Sequence, residues 1–198
     1  MFSIRCLAGA GLAAALMLAV PARALDIDAA TQAKLAAGEA VTKFTPDPSE
    51  SAAGLIEAVI DIPASRQTVW AILTDCLASV KVFSGLKTCR VVSADPATKS
   101  DVREHLISWS RLLPTVRSVF KSQYDEPNEI RFLRTEGDLK QLKGEWRLET
   151  LPDGKTTRLH YGAAIAVGIP VPSALVRSAL ESDMPKSMKA IRAAAMAK

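Results

Sequence analysis

Between Thr88 and Val167 the sequence leaves almost no room for a helix. Six segments follow one another: TCRVVSAD, DVREHLISWS, TVRSVFKSQY, NEIRFLR, LKGEWRLETL and TTRLHYGAAIAV. They carry the β-branched, aromatic and alternating residues of strands. Between them stand Asp95-Pro96, Leu113-Pro114, Glu126-Pro127-Asn128 and Pro152-Asp153-Gly154, which turn a chain within a few positions. Parallel neighbours need a crossover of a dozen or more residues. These connections are too short for one, so the region is expected to be an antiparallel meander.

The same segments sort their side chains by face. Leu142, Trp146 and Leu148 share one side, and Lys143, Glu145, Arg147 and Glu149 the other. Leu159, Tyr161, Ala163, Ile165 and Val167 also share a side. Val116, Ser118, Phe120, Ser122 and Tyr124 line up with hydroxyls between aromatics. That mixture suits either a partly covered face or a cavity wall. The chain then ends in PSALVRSALESDMPKSMKAIRAAAMAK, where Val176, Leu180, Met184, Met188, Ile191 and Ala195 form an apolar helical stripe. Ser173 is expected to cap this helix, and Pro185 to kink or divide it.

Upstream, Ile56, Ala58, Ile60 and Ile62 alternate with Glu57 and Asp61 as a half-buried strand does, and Pro63 ends the run. Ser65 can cap a helix whose Val69, Ile72 and Leu73 face inward, with Trp70 read as core. The stretch from Asp28 to Phe44 begins Ala-rich, with Gly38 as a helix stop, and TPDPSESAAG reads as a linker. The expected organisation is therefore a signal peptide at 1–24, an N-terminal helix and linker at 25–53, and one domain at 54–198.

The signal-peptide reading rests on Arg5, the apolar run Leu7 to Val20, and the small-residue site Ala22-Arg23-Ala24. The run is shorter than the roughly 20 residues of a spanning helix, and Pro21 closes it. Export across the inner membrane to the periplasm is the expectation. The first 24 residues hold Arg5 and Arg23 and no acid, so their removal lowers the formal net charge from +4 to +2. Basic residues are interleaved with acids, as in KGEWRLE, and no nucleic-acid partner is expected. Cleavage would also remove Cys6, leaving Cys76 and Cys89 as an even pair in an oxidising compartment. A catalytic thiol would need a histidine beside it, and His105 and His160 both fall in strand patterns. A metal site would need close ligand pairs, which the spacing lacks. A disulfide between Cys76 and Cys89 is the expected outcome.

Phosphate-cradling, zinc-protease and nucleophile-elbow motifs are all missing, so no cofactor, no metal and no catalytic residue is assigned. His105 is expected at the strand surface or satisfied in the core, and His160 on the outer face. Asp75 reads as a local cap.

Two stretches carry a family resemblance: AVIDIPASRQTVWAILTDC…FSGLKTCRVV, and GDLKQLKGEWRLETLPDGKTTRLHY followed by VPSALVRSALESDMPKSMKAIR. They resemble the START-like (SRPBCC) superfamily, within it the bacterial polyketide cyclase/dehydrase and lipid-transport proteins. The resemblance covers roughly Gly54 to Ala195. It implies an α+β helix-grip fold, a curved antiparallel sheet wrapped around a long C-terminal helix and enclosing a hydrophobic pocket. Phe120, Phe132, Trp146, Tyr161 and Ile165 would line the sheet side of that pocket, and Leu180, Met184 and Met188 the helix side, although the same spacings also suit a solid core. Leu112, Leu113, Ile169 and Val171 would form its rim, or pack under neighbours. The implied partner is a hydrophobic small molecule, lipid, sterol-like or polyketide-like, with transient membrane contact. Nothing in the residues sets an oligomeric state. The alternative is a cyclase or dehydratase working in the same pocket, with His105, Glu104 or Tyr161 as nominees. The family's polar catalytic groups match no motif here.

Overall fold

The computed structural model describes residues 25–50, 53–108, 114–168 and 172–198. The expected signal segment 1–24 and the expected rim residues Leu112, Leu113, Ile169 and Val171 lie outside the described residues. Helix α1 (Ala29–Ala36) leads into strands β1 (Val41–Pro46) and β2 (Ala53–Ile62), then two short helices, α2 (Arg66–Thr74) and α3 (Cys76–Val82). Six strands follow: β3 (Leu86–Asp95), β4 (Ser100–Ile107), β5 (Val116–Asp125), β6 (Glu129–Gly137), β7 (Leu139–Thr150) and β8 (Thr157–Val167). Helix α4 (Ser173–Met196) closes the chain.

Every neighbouring strand pair is antiparallel, in the order β1-β2-β8-β7-β6-β5-β4-β3. The expected meander is thus β3 to β8, and β8 returns to pair with β2. Its turns are built by side chains that satisfy the backbone locally. Asp95 accepts from the Ala97 and Thr98 amides, and Asp153 accepts from those of Lys155 and Thr156. Between β6 and β7, Gly137 holds φ at +99°, where an added Cβ would press on the Arg117 backbone. Register shifts at Leu86/Thr88, Val91/Ser93, Val119/Phe120 and Leu139/Gln141 mark bulges, which bend and twist the sheet. The result is the expected α+β helix-grip: a curved antiparallel sheet around a long C-terminal helix.

The concave face collects Ile56, Ala58, Ile60 and Ile62 from β2, Leu159, Ala163 and Ile165 from β8, and Leu142, Trp146 and Leu148 from β7. Against them pack Val69, Trp70, Ile72 and Leu73 of α2 and Val176, Leu180, Met188, Ile191 and Ala195 of α4. Ser65 caps α2 through the Thr68 amide, as its sequence suggests. Two expectations for α4 change. Pro172 occupies the N-cap position with no side-chain hydrogen bond, so Ser173 does not cap. Pro185 lies inside one continuous 24-residue helix and does not divide it.

Two elements are additional to the sequence reading. From the end of the N-terminal stretch into the start of the linker, β1 pairs with β2 from Val41↔Val59 to Pro46↔Gly54 and forms one edge of the sheet. The segment after α2 forms α3, capped by Asp75 through the Leu77 amide. The disulfide Cys76–Cys89 joins the start of α3 to β3, the opposite sheet edge, with the Cα atoms 5.2 Å apart.

The convex face carries a second buried arrangement. Asp61 and Arg158 face each other across β2 and β8 and form a two-bonded ion pair at 2.7 and 2.8 Å. Arg158 also donates to Gln32 of α1, whose Leu35 is fully buried, so α1 is fastened outside the sheet. His160 also lies on this face, opposite Val59 and Arg147. Burial, with the neighbouring Arg147 charge, holds its imidazole down at about 4. Among the described residues, no helix is long and apolar enough to cross a membrane.

Candidate ligand cavity

Helix α4 rests chiefly on β1 and β2, with α2 and α3 alongside it. Over the rest of the concave face the helix does not pack directly on the sheet, and a partly open chamber of about 190 Å³ remains between them. Its floor and walls come from β3 to β8, and its roof from Leu180, Asp183, Met184 and Ser187 of α4 with Phe83 and Ser84 after α3. A hydrogen bond from the Ser84 amide to Ser187 Oγ, 2.9 Å, ties the two parts of the roof together.

Seven of the eight lining residues read from the sequence meet here: Phe120, Phe132, Trp146, Tyr161, Ile165, Leu180 and Met184. Met188 does not. It is fully buried in the α4–sheet core, about one helical turn beyond Met184 and past the end of the chamber. The helical stripe drifts around the axis as it runs, so its members do not all face the same void. The wall also includes Leu86, Ile107, Ser118, Leu139 and Leu142, which the sequence reading did not nominate, and His105, which it named only for the enzyme alternative. Only Ser118 had left a signal, as a hydroxyl among the aromatics of its strand.

A smaller chamber of about 50 Å³ lies beside the first and shares Phe83, His105, Phe120, Phe132 and Trp146 with it. These rings form a belt at the boundary. Phe83 tilts on Trp146 at 5.7 Å, Trp146 on Tyr161 at 4.4 Å, and Tyr161 stacks on Phe132 at 6.0 Å. Phe132 then meets Phe120 at 6.1 Å, and Phe120 meets His105 edge-on at 4.8 Å. Beyond the belt the inner chamber turns polar, with Arg103, Ser122 and Tyr124 in its wall.

Register explains this polarity. Asp101, Arg103 and His105 of β4 stand opposite Ser122, Phe120 and Ser118 of β5, so a polar row and a mixed row share the concave face. Arg103 donates to Asp101 at 2.8 Å and to the Thr74 carbonyl at 2.7 Å, and both ionised side chains are buried. Among the described residues, His105 Nε2 and Ser118 Oγ, on facing positions of β4 and β5, are buried with no hydrogen-bond partner, while Tyr124 OH lies against the Asp101 carboxylate. Leaving such groups unpaired costs about 1–3 kcal/mol each, so the two at the chamber wall point to an oxygen or nitrogen not supplied by the chain.

His105 is therefore neither a surface residue nor a satisfied core residue, which corrects the sequence expectation. Its strand alternation is right, but the face it points to is the cavity. Burial, reinforced by the Arg103 charge, lowers its pKa to about 4 and leaves the ring neutral at pH 7. Burial also pushes the Tyr124 and Tyr161 phenols well above their usual range, so both stay protonated. Glu104 points the other way. It binds Arg90 and Arg117 on the outer side of the sheet, chiefly the Arg90 hydrogen bond holding its carboxyl below the usual range, and it does not reach the chamber. Among the described residues, no group of three His, Cys, Asp or Glu side chains is placed to hold a metal ion.

The cavity's size limits its guest. Ligand pockets usually run from about 300 to 1,000 Å³, while an apolar void of about 150 Å³ takes benzene. A chamber of 190 Å³ matches a compact molecule of one or two rings, and a two-chain lipid would need the belt to part.

Residues 62–192 match the family described as polyketide cyclase/dehydrase and lipid transport. No curated protein matches the sequence. Among solved structures, a STAR-related lipid transfer protein from Xanthomonas axonopodis is similar at 14% identity and a TM-score of 0.65, covering 80% of this chain and 94% of that one. An aromatase/cyclase from Streptomyces aligns at 17% identity and a TM-score of 0.58, over 72% of this chain and 91% of the other. The lipid transfer and protein localization domain of human StarD13 aligns at 13% identity and 0.63, over 79% and 84%. At these identities the likeness is one of fold.

Proposed function

The chain belongs to the polyketide cyclase/dehydrase and lipid transport family, and from that premise we propose that it binds a hydrophobic small molecule between sheet and helix. The observation that carries this reading is the chamber itself, apolar along Leu139, Leu142, Ile165 and Leu180 and ending in unsatisfied polar groups. An amphiphile would lay its apolar body under α4 and bring its polar end past the aromatic belt. Burying that body gives about 25 cal/mol for each Å² removed from water, and pairing the orphaned groups adds to it. In this reading the N-terminal 24 residues direct export to the periplasm, where the protein shields its guest and carries it to or from a membrane surface. The signal layout around Arg5 and Ala22-Arg23-Ala24 supports that location.

A direct test uses N-phenyl-1-naphthylamine, a neutral probe that brightens in apolar surroundings, together with native mass spectrometry of protein purified from its source. Saturable brightening and a co-purifying small molecule are expected. Absence of both would overturn the proposal.

The polar floor favours one second reading, an enzyme of the cyclase or dehydratase class. A neutral His105 and protonated Tyr124 and Tyr161 could exchange protons with a bound polyketide-like guest. This reading requires that guest recovered after incubation be chemically altered, with the change lost in His105→Phe. Unaltered recovery leaves the carrier function.

A further inference from the structure

The two edges of the sheet are finished differently. β1 is six residues long, ends in Pro46, and is overlain by α4, where Arg177 lies on the Phe44 ring at 5.7 Å. Short length, proline and a covering helix are the usual devices that keep an edge from pairing with another chain. β3, at the other edge, has ten residues and no proline, and among the described residues it pairs only with β4. Helix α3 covers only the start of this strand, where Leu86 is buried and Cys89 is joined to Cys76. Every residue from Arg90 to Asp95 is exposed. Val91 and Val92 are 45% and 48% exposed, and Leu77, beside the disulfide, is 76% exposed. Three of the six exposed large apolar side chains among the described residues therefore lie at this one edge. The bulge at Val91/Ser93 leaves Val92 with no partner in β4 and twists the strand, but it puts nothing over the outer backbone groups.

The charges along the edge say what fits it. Arg90 is already paired with Glu104 of its own sheet at 2.9 Å. Lys87 enters no ion pair among the described residues. Asp95 is hydrogen-bonded only to neutral donors, the Ala97 and Thr98 amides and the Thr98 hydroxyl. Lys87 and Asp95 stand at equal distances along the strand on either side of Val91. An antiparallel copy of the same strand, related by a two-fold axis at Val91, sets each Lys87 opposite the Asp95 of the other copy. Val91 then meets Val91, Arg90 meets Val92 and Thr88 meets Ala94, so no like charges are opposed. We propose that two copies of this protein join along β3, running their eight-stranded sheets together edge to edge. Backbone pairing and burial of the valines favour the dimer. One strand pair with its flanking side chains falls below the roughly 1,200 Å² of a stable interface, so the association is weak and concentration-dependent.

Sedimentation velocity of the purified protein, loaded from about 1 µM to about 1 mM, is expected to show a monomer–dimer equilibrium. Val91→Lys sets two lysines face to face on the axis and should weaken the dimer about tenfold or more. Because Val91 is exposed, this variant should keep its Tm. Thr45→Lys makes a like change at the β1 edge and should leave association as it was. Zero-length carbodiimide cross-linking reads the register and needs no variant. Within one chain Lys87 and Asp95 are roughly 26 Å apart along an extended strand, so a Lys87–Asp95 bond forms only between copies. Mass spectrometry of mixed isotope-labelled and unlabelled protein should find that bond, and should find it lost in Val91→Lys. A monomer throughout the range overturns the proposal. A dimer that ignores Val91→Lys, or that Thr45→Lys dissociates, uses another surface and overturns it too. A dimer broken at Val91 but lacking the Lys87–Asp95 bond overturns the register. Failure here leaves the ligand-binding reading standing, since probe binding in the cavity is measured separately.

Discussion

Replacing Leu180 with phenylalanine separates a real void from a packed interior by the sign of the effect. Leu180 hangs from α4 into the 190 Å³ chamber and is buried. At about 24 cal/mol per Å³, a dry void of that size forfeits up to about 4.6 kcal/mol, an upper bound because the chamber is partly open. Phenylalanine adds roughly three carbons, each giving up to about 0.8 kcal/mol when buried, or about 2.4 kcal/mol together. That is close to half of what the whole void forfeits. After some loss of side-chain freedom, a net gain of about 1–2 kcal/mol remains, which for a chain of this size raises Tm by about 3–6 °C. A solid interior would respond oppositely, losing about 1–3 kcal/mol to overpacking. Differential scanning calorimetry of the ligand-free protein reads the sign, and N-phenyl-1-naphthylamine titration reads occupancy, which should fall at least tenfold. A lowered Tm with unchanged probe binding would refute the cavity as placed here.

Other perturbations test the frame around it. Replacing Cys76 and Cys89 with serine opens a loop spanning 13 positions and should cost about 3 kcal/mol, read as a Tm drop of about 6–12 °C. Arg158→Met leaves Asp61 buried without its partner and should cost about 3–5 kcal/mol by urea denaturation, whereas Asp61→Leu with Arg158→Met should recover much of that loss. His105 and His160 both titrate near 4 in the fold and near 6.5 when unfolded, so the unfolded chain takes up protons first. Stability should therefore be level above about pH 7 and fall as pH drops from about 6.5 through 4. His160→Gln should flatten part of that decline, and an unchanged curve would show that the outer-face imidazole is not shielded.

Much of the fold was legible because it is written in local patterns. β3 to β8 stood out through alternation and turn residues, and the inward set of β7 and β8 could be named residue by residue. Strand β1 was hidden because VTKFTP is short, half-exposed, and runs into Pro46 and Pro48, which read as linker. Helix α3 has seven residues, two turns, too few for a periodic stripe to appear. The site was legible by face and not by depth. Ile165 was assigned to the sheet side and Met184 to the helix side of one chamber, which both line, while Met188, assigned to the same chamber, packs into core. His105 was expected at the strand surface or in the core, and in the pocket only under the enzyme alternative, because alternation assigns a side without saying which side of β4 is covered.

The amino-acid sequence alone determined the antiparallel order of the meander, the two faces of its strands, and the apolar stripe of the closing helix. Each depends on neighbours within a few positions. Tertiary structure decided that α4 settles over β1 and β2, and so where on the concave face a chamber remains. It also decided that His105 and Ser118 face each other there unsatisfied. A cavity is the difference between the space that elements enclose and the volume their side chains fill. That difference depends on strand register, bulges and helix placement across the whole chain, quantities that no single stretch of sequence contains.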